Sequence, residues 1–195
     1  MDVGQWTDQY IQNLKLLLDT LDKQALSQAV SILEQARSEA KTIYVVGNGG
    51  SASTATHIAC DFSKTVIGHK GDASWKPFKC VSLTDNASLI TAWSNDVDFQ
   101  QAYAQQLENL GSEGDVLIAI SSSGSSKNIM NCIGVAKSKK IHVIGIAGFN
   151  GGQMKDVVDV CLSTDSQEYG PIEDIQMIMN HLMVFYFYQK FSSEQ

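Results

Sequence analysis

The chain has 195 residues, 44% of them hydrophobic and 18% charged, so it can fill a core and is not a disordered tail. Its 21 acidic and 14 basic residues give a net charge of −7, which excludes general nucleic-acid affinity, because neutralising phosphates needs clustered Lys and Arg. Cys60, Cys80, Cys132 and Cys161 lie far apart with no CxxC spacing, arguing against a disulfide framework or a structural zinc site. The opening MDVGQWTDQY lacks the order of a signal peptide, and no apolar run approaches the roughly 20 residues that span a bilayer. A cytoplasmic protein with no membrane partner is expected.

In the first forty residues Leu14, Leu17, Leu18 and Leu21, then Leu26, Val30, Ile32, Leu33 and Ala36, recur at helical spacing and predict a hairpin of two helices. From Thr42 the pattern changes. β-rich runs occur at 42–46, 79–83, 115–120, 141–146 and 158–162, separated by helical stretches at 51–64, 86–92, 98–110, 126–139 and 151–156. A long helix over about 172–190 closes the chain. Alternating strands and helices predict an α/β doubly wound fold with five parallel strands in the flavodoxin-like order 2-1-3-4-5. The whole chain, 1–195, reads as a single domain, with 1–40 as a helical appendage to an α/β core over 41–195.

Such folds bind ligands beyond the carboxyl ends of their strands. After the first strand, Gly47-Asn48-Gly49-Gly50-Ser51-Ala52 fits G-x-G-x-x-A, a dinucleotide pattern that is weak alone and equally a tight strand-to-helix turn. After the third, Ser121-Ser122-Ser123-Gly124-Ser125-Ser126 offers several hydroxyls at a helix start, a cradle for a phosphate monoester. Serines also cap helices, but five in six positions exceed the needs of one cap. Two such loops at neighbouring strand ends point to a sugar phosphate. His57 and Asp61, four apart on one helix face, are residue types that bind zinc; a surface pair is the plainer reading.

GNGGSASTATH (47–57), the Asn95–Asp96 of WSNDVDF, EGDVLIAISSSGSS (113–126) and DIQMI (174–178) together resemble a single sugar isomerase (SIS) domain, specifically the phosphoheptose isomerase family, over most of the chain. The resemblance implies a homotetramer with active sites shared between subunits, the helices of 1–40 serving oligomerisation. It implies that Ser51, Ser121, Ser123 and Ser126 hold the phosphate. Asn48, Gly49, Gly50, Ser122, Asp96 and Gln176 then lie along the sugar. It also implies a divalent metal, zinc in some members, on His57, Asp61 and Gln176, with His181 as a further ligand candidate, and no nucleotide cofactor.

The implied reaction interconverts sedoheptulose 7-phosphate and D-glycero-D-manno-heptose 7-phosphate through an enediol, for heptose or surface-polysaccharide synthesis. Asp61 stands where the family has its glutamate base, one methylene shorter. The family's second acid/base histidine, eight residues after its glutamine, is Val184 here. Glu173, Gln176, Asn180 and Val184 share a helical stripe, and His181 lies roughly 60° from Val184 on the wheel. His181 is therefore the candidate second catalytic residue, a subunit contact being its other use; Glu173 or Asp174 are further candidates for the site. Thr65 replaces a family arginine, with Lys64 beside it as a stand-in. Asp85 reads as a cap for the next helix, a sugar-hydroxyl contact being its other use, and His69 and His142 as structural or surface residues. Trp6, Trp75, Trp93 and the Phe185, Tyr186, Tyr188 stripe read as packing or tetramer contacts. The departures at Val184 and Thr65 leave an alternative: a non-catalytic SIS protein binding a sugar phosphate or a partner such as a replication initiator.

Overall fold

A computed structural model of the chain describes residues 2–66 and 75–193; His69 lies outside them. The expected helical pair is α1 (Val3–Asp19) and α2 (Lys23–Ser38). Each starts on an aspartate: Asp2 accepts from the Gln5 N–H, and Asp22 from those of Gln24 and Ala25. These carboxylates satisfy donors that a helix start leaves free. The inward stripe of α2 is Ala25, Ala29, Leu33 and Ala36.

Five strands follow: β1 (Thr42–Val46), β2 (Lys79–Ser82), β3 (Val116–Ser121), β4 (His142–Ala147) and β5 (Val160–Ser163). All pairs are parallel, in the order β2-β1-β3-β4-β5, as expected from the alternation of elements. The switch point lies between β1 and β3, whose crossovers leave in opposite directions and open a crevice at their carboxyl ends. The helices are α3 (Gly50–Cys60), α4 (Ala87–Asp96), α5 (Ala102–Leu110), α6 (Lys127–Ser138) and α7 (Tyr169–Ser193). The pleat splits the core in two. Ile43, Val45, Ile118, Ile120, Ile144 and Ile146 belong to the cluster with α2, α3 and α7, while Tyr44, Val46, Leu117, Ala119 and Val143 join α5 and α6.

Several local expectations are corrected. The helix read over 51–64 is α-helical only to Cys60 and widens into a π turn, Asp61–Thr65, where the Val66 N–H reaches back to the Asp61 carbonyl. The short helix at 151–156 is a 3-10 segment, Phe149–Asp156, broken by left-handed Asn150, Gly151 and Gly152. Asp85 does not cap α4. Asn86 does, accepting from the Leu89 N–H, while Asp85 accepts from the Thr56 hydroxyl at 2.5 Å. That helix also runs past residue 92 to Asp96, so Asn95 and Asp96 end a helix. His142 is exposed, as read. Trp75 packs against the Arg37 guanidinium (4.2 Å) and Phe191 (5.1 Å), whereas Phe185 and Tyr186 are half exposed on the outer face of α7. All four cysteines are free, and burial pushes the Cys132 thiol up to about 12.

The serine loop rests on the turn of Asn150–Gly152. Gly124 has φ +62°, and a Cβ there would sit 2.1 Å from the Gly151 carbonyl oxygen; its own carbonyl accepts from the Met154 N–H at 2.9 Å. Gly124→Ala is expected to cost about 2–4 kcal/mol of stability, seen as a lower urea midpoint. An unchanged midpoint would show that the two loops separate freely.

Candidate active site

β1 and β3 end side by side and send Gly47–Gly50 and Ser121–Ser126 into the switch-point crevice. Gly47 is needed for the tight turn, since a Cβ would lie 2.4 Å from the Ser51 carbonyl oxygen. Neither following helix is capped by a side chain. Gly49 has none to offer. Ser126, placed to cap α6, instead brings its hydroxyl to 3.2 Å from that of Ser121, which lies 3.5 Å from that of Ser123. That arrangement favours the cradle over the capping reading: the hydroxyls gather at one point and leave first-turn N–H groups for an anion. Ser125 stands apart, accepting from the Gln153 N–H.

Asn48, Ser51, Ser121, Ser122, Ser123, Ser126, Tyr169 and Glu173 line a cavity of about 140 Å3. Gln176, almost fully buried, joins the two loops: its amide nitrogen donates to Ser122 Oγ and its carbonyl accepts from Ser51 Oγ, both at 3.3 Å. Gly50 makes room for Glu173, whose carboxylate oxygen would be 2.6 Å from a Cβ there. Asp174 is engaged elsewhere. It accepts from the Tyr10 hydroxyl at 2.6 Å, and that bond holds the Tyr10 phenol up at about 12. Tyr169 was not found by sequence reasoning, because nothing in its neighbourhood marks where α7 begins. Ser123→Ala is expected to weaken sugar-phosphate binding about tenfold or more, the loss of one hydrogen bond to a charged group. Unchanged affinity in a calorimetric titration would contradict the cradle.

Less than two turns along α3 stands a second cluster. His57 Nε2 lies 3.2 Å from Asp61 Oδ2, His181 Nε2 lies 3.7 Å from the same oxygen, and the two ring nitrogens are 3.4 Å apart. The Asp61 side chain is 12% exposed and the imidazoles 47% and 45%, so the carboxylate is the floor and the rings are the open side. Two neutral donors hold it: the Thr65 hydroxyl to Oδ1 at 3.0 Å and the Asn180 amide to Oδ2 at 2.9 Å. Thus Thr65, the residue in the arginine's place, is the one that reaches Asp61. Asn180 was not read as functional, though its place on one stripe with Glu173 and Gln176 was its signal. Its Oδ1 is buried with no hydrogen-bond partner among the described residues.

The donor set fits a divalent ion. Ligand atoms of His57, Asp61 and His181 lie within 4.8 Å of one another, and their spacings resemble the roughly 3.3 Å edge of a tetrahedron whose ligands sit about 2.0–2.1 Å from the ion. Two histidines and a carboxylate leave a fourth position open, as catalytic sites do. Gln176, expected as a ligand, has its amide on Ser51 and Ser122, and His181 is the residue that stands with His57 and Asp61. Val184 is fully buried in the core. Asp96 is exposed, hydrogen-bonded to Asn95 at 2.8 Å, and lines neither cluster within one chain.

A family model for the SIS domain matches residues 5–148. The phosphoheptose isomerase of Helicobacter pylori is 34% identical over 162 residues, 83% of this chain and 81% of that protein. That of Synechocystis is 30% identical over 179 residues, 92% and 90% of the two chains. Among solved structures, a phosphoheptose isomerase from Neisseria gonorrhoeae matches with a TM-score of 0.80 at 27% identity over 94% of each chain. One from Francisella tularensis, at 24% identity, reaches 0.85 over 97% of this chain and all of that one, and speaks to the fold alone.

Proposed function

The chain belongs to the SIS-domain family and is a sugar-phosphate isomerase, and from that premise we propose that it interconverts sedoheptulose 7-phosphate and D-glycero-D-manno-heptose 7-phosphate. The observation that carries the reading is the placement of the His57–Asp61–His181 cluster along α3 from the serine cradle. Gln176, bonded to Ser51 and Ser122, and Asn180, bonded to Asp61, are four residues apart on α7, roughly 6 Å along the helix. An open-chain heptose can set its phosphate among the serines and its C1 and C2 beside Asp61.

Ketose-to-aldose conversion removes a proton from C1, passes through an enediol and returns a proton to C2. Asp61 carries the carbon-bound proton, its carboxylate aimed by Thr65 and Asn180. His181 moves the proton between O1 and O2, and Ser51, Ser121, Ser123 and Ser126 hold the phosphate still. Gln176, with Asn48, Gly49, Gly50 and Ser122, orients the sugar. His57, Asp61 and His181 would hold a divalent ion, zinc in this reading, which would supply charge stabilisation at O1 and O2; with the ion on its Nε2, His181 would be a ligand and the ion would take over the handling of the two oxygens. The position of His181 also weakens the non-catalytic alternative, which leaned on Val184.

We take 1–195 as one domain, and a homotetramer as its state. The outer residues Leu182, Phe185 and Tyr186 of α7 are exposed and line a groove with α2 of about 740 Å3; apolar surface of that kind is normally covered. Assembly would also be the means of bringing Asp96 to a neighbour's site. Sedimentation equilibrium should give the mass of four chains, and a monomer would contradict it. No helix among the described residues is long and apolar enough to cross a membrane, in keeping with a cytoplasmic enzyme of heptose or surface-polysaccharide synthesis. The substrate assignment is tested by comparing kcat/KM for sedoheptulose 7-phosphate and fructose 6-phosphate. At least a tenfold preference for the heptulose is expected; the reverse order would replace the proposed sugar.

A further inference from the structure

Asn128 lies in the first turn of α6, 4% exposed, and no step of the reaction above uses it. It faces Asn48 across the two ligand loops as a reciprocal amide pair. Asn48 Nδ2 donates to Asn128 Oδ1 at 2.9 Å, and Asn128 Nδ2 donates to Asn48 Oδ1 at 2.8 Å. Such a pair alone is symmetric, because turning both amides over keeps both bonds. One atom breaks the symmetry here. The Ile129 N–H also donates to Asn128 Oδ1, at 3.0 Å, so a turned Asn128 would set its NH2 against a backbone donor in a buried place. The backbone of α6 thus orients Asn128, and Asn128 orients Asn48.

We propose that Asn128 is a positioning residue that fixes the Asn48 amide, leaving Asn48 one N–H and one lone pair for a sugar hydroxyl in the cavity. A hydroxyl both donates and accepts, so it satisfies both groups; a carboxylate or carbonyl satisfies only one. The proposal rests on the sugar-phosphate reading of the cavity, to which Asn48 belongs.

The test is a double-mutant cycle read by calorimetry with two probes, sedoheptulose 7-phosphate and inorganic phosphate, on variants whose melting temperatures are first shown to stay near that of the wild type. Asn128→Ala is expected to weaken sugar-phosphate binding about tenfold in the wild-type background and less than about twofold in Asn48→Ala, with phosphate affinity little changed throughout. Asn128→Leu, close to Asn in size but with neither bond to Asn48, should behave like Asn128→Ala. Equal losses in both backgrounds, or wild-type affinity in Asn128→Leu, would overturn the positioning role.

A wild-type protein that binds phosphate but not the sugar phosphate would instead overturn the reading of the substrate. The pair is then judged by NMR. Slow solvent exchange of the Asn48 side-chain NH2 should be lost in Asn128→Ala, and its persistence there would overturn the pair's control of Asn48.

Discussion

Asp61→Asn is expected to lower kcat for isomerisation by about 10²–10⁴-fold, the usual contribution of a positioned acid or base, while affinity for the sugar phosphate changes less than about twofold. Binding is spared because the phosphate is held by the serine loop, and the new amide keeps the carboxylate's shape. The fold should survive as well. Asn180 now donates to Asp61 Oδ2 and has a buried Oδ1 with no partner among the described residues, so it can turn over and accept from the new NH2. Steady-state kinetics with a separate binding titration check this. Near-wild-type kcat would remove Asp61 from proton transfer, and loss of binding in step with kcat would mean it holds substrate instead.

His181→Ala should also lower kcat, by about 10² or more, and should weaken zinc binding at the same cluster. Restoring the family's histidine with Val184→His should not rescue it. Val184 is 0% exposed, in one apolar cluster with Met183 and Phe187. An imidazole there is both too large and without a partner, at a cost of about 2–4 kcal/mol in stability. Rescue of His181→Ala by Val184→His would contradict the placement of both residues. Full activity in His181→Ala alone would leave His181 to the α2–α7 groove, which it also lines.

The strands were legible because buried parallel strands are near-continuous β-branched runs, here 42–46 and 115–120 especially, ended by loops of Gly and Ser. The cradle was legible for the same reason, since a helix start after such a strand lies at the switch point. The His57–Asp61–His181 cluster was legible in its members and not in its geometry. His57 and Asp61 could be paired from helical spacing and His181 stood out on the α7 wheel, but no spacing fixes how α7 lies on α3. The stripe Glu173, Gln176, Asn180 does follow the site, meeting in turn the cavity, the two loops and Asp61. One turn later it passes into the core at Val184, and its neighbour His181 stays at the site. Thr65 looked like a lost arginine; the π turn at Asp61–Thr65, which has no periodic signature, sets its hydroxyl on the carboxylate.

The most direct test is turnover of sedoheptulose 7-phosphate by the purified protein, stripped of metal and then loaded with zinc, with the aldose product followed by NMR. The account predicts aldose formation, faster after zinc is restored. If the sugar phosphate binds but no aldose forms in either state, His57, Asp61 and His181 do not perform this isomerisation.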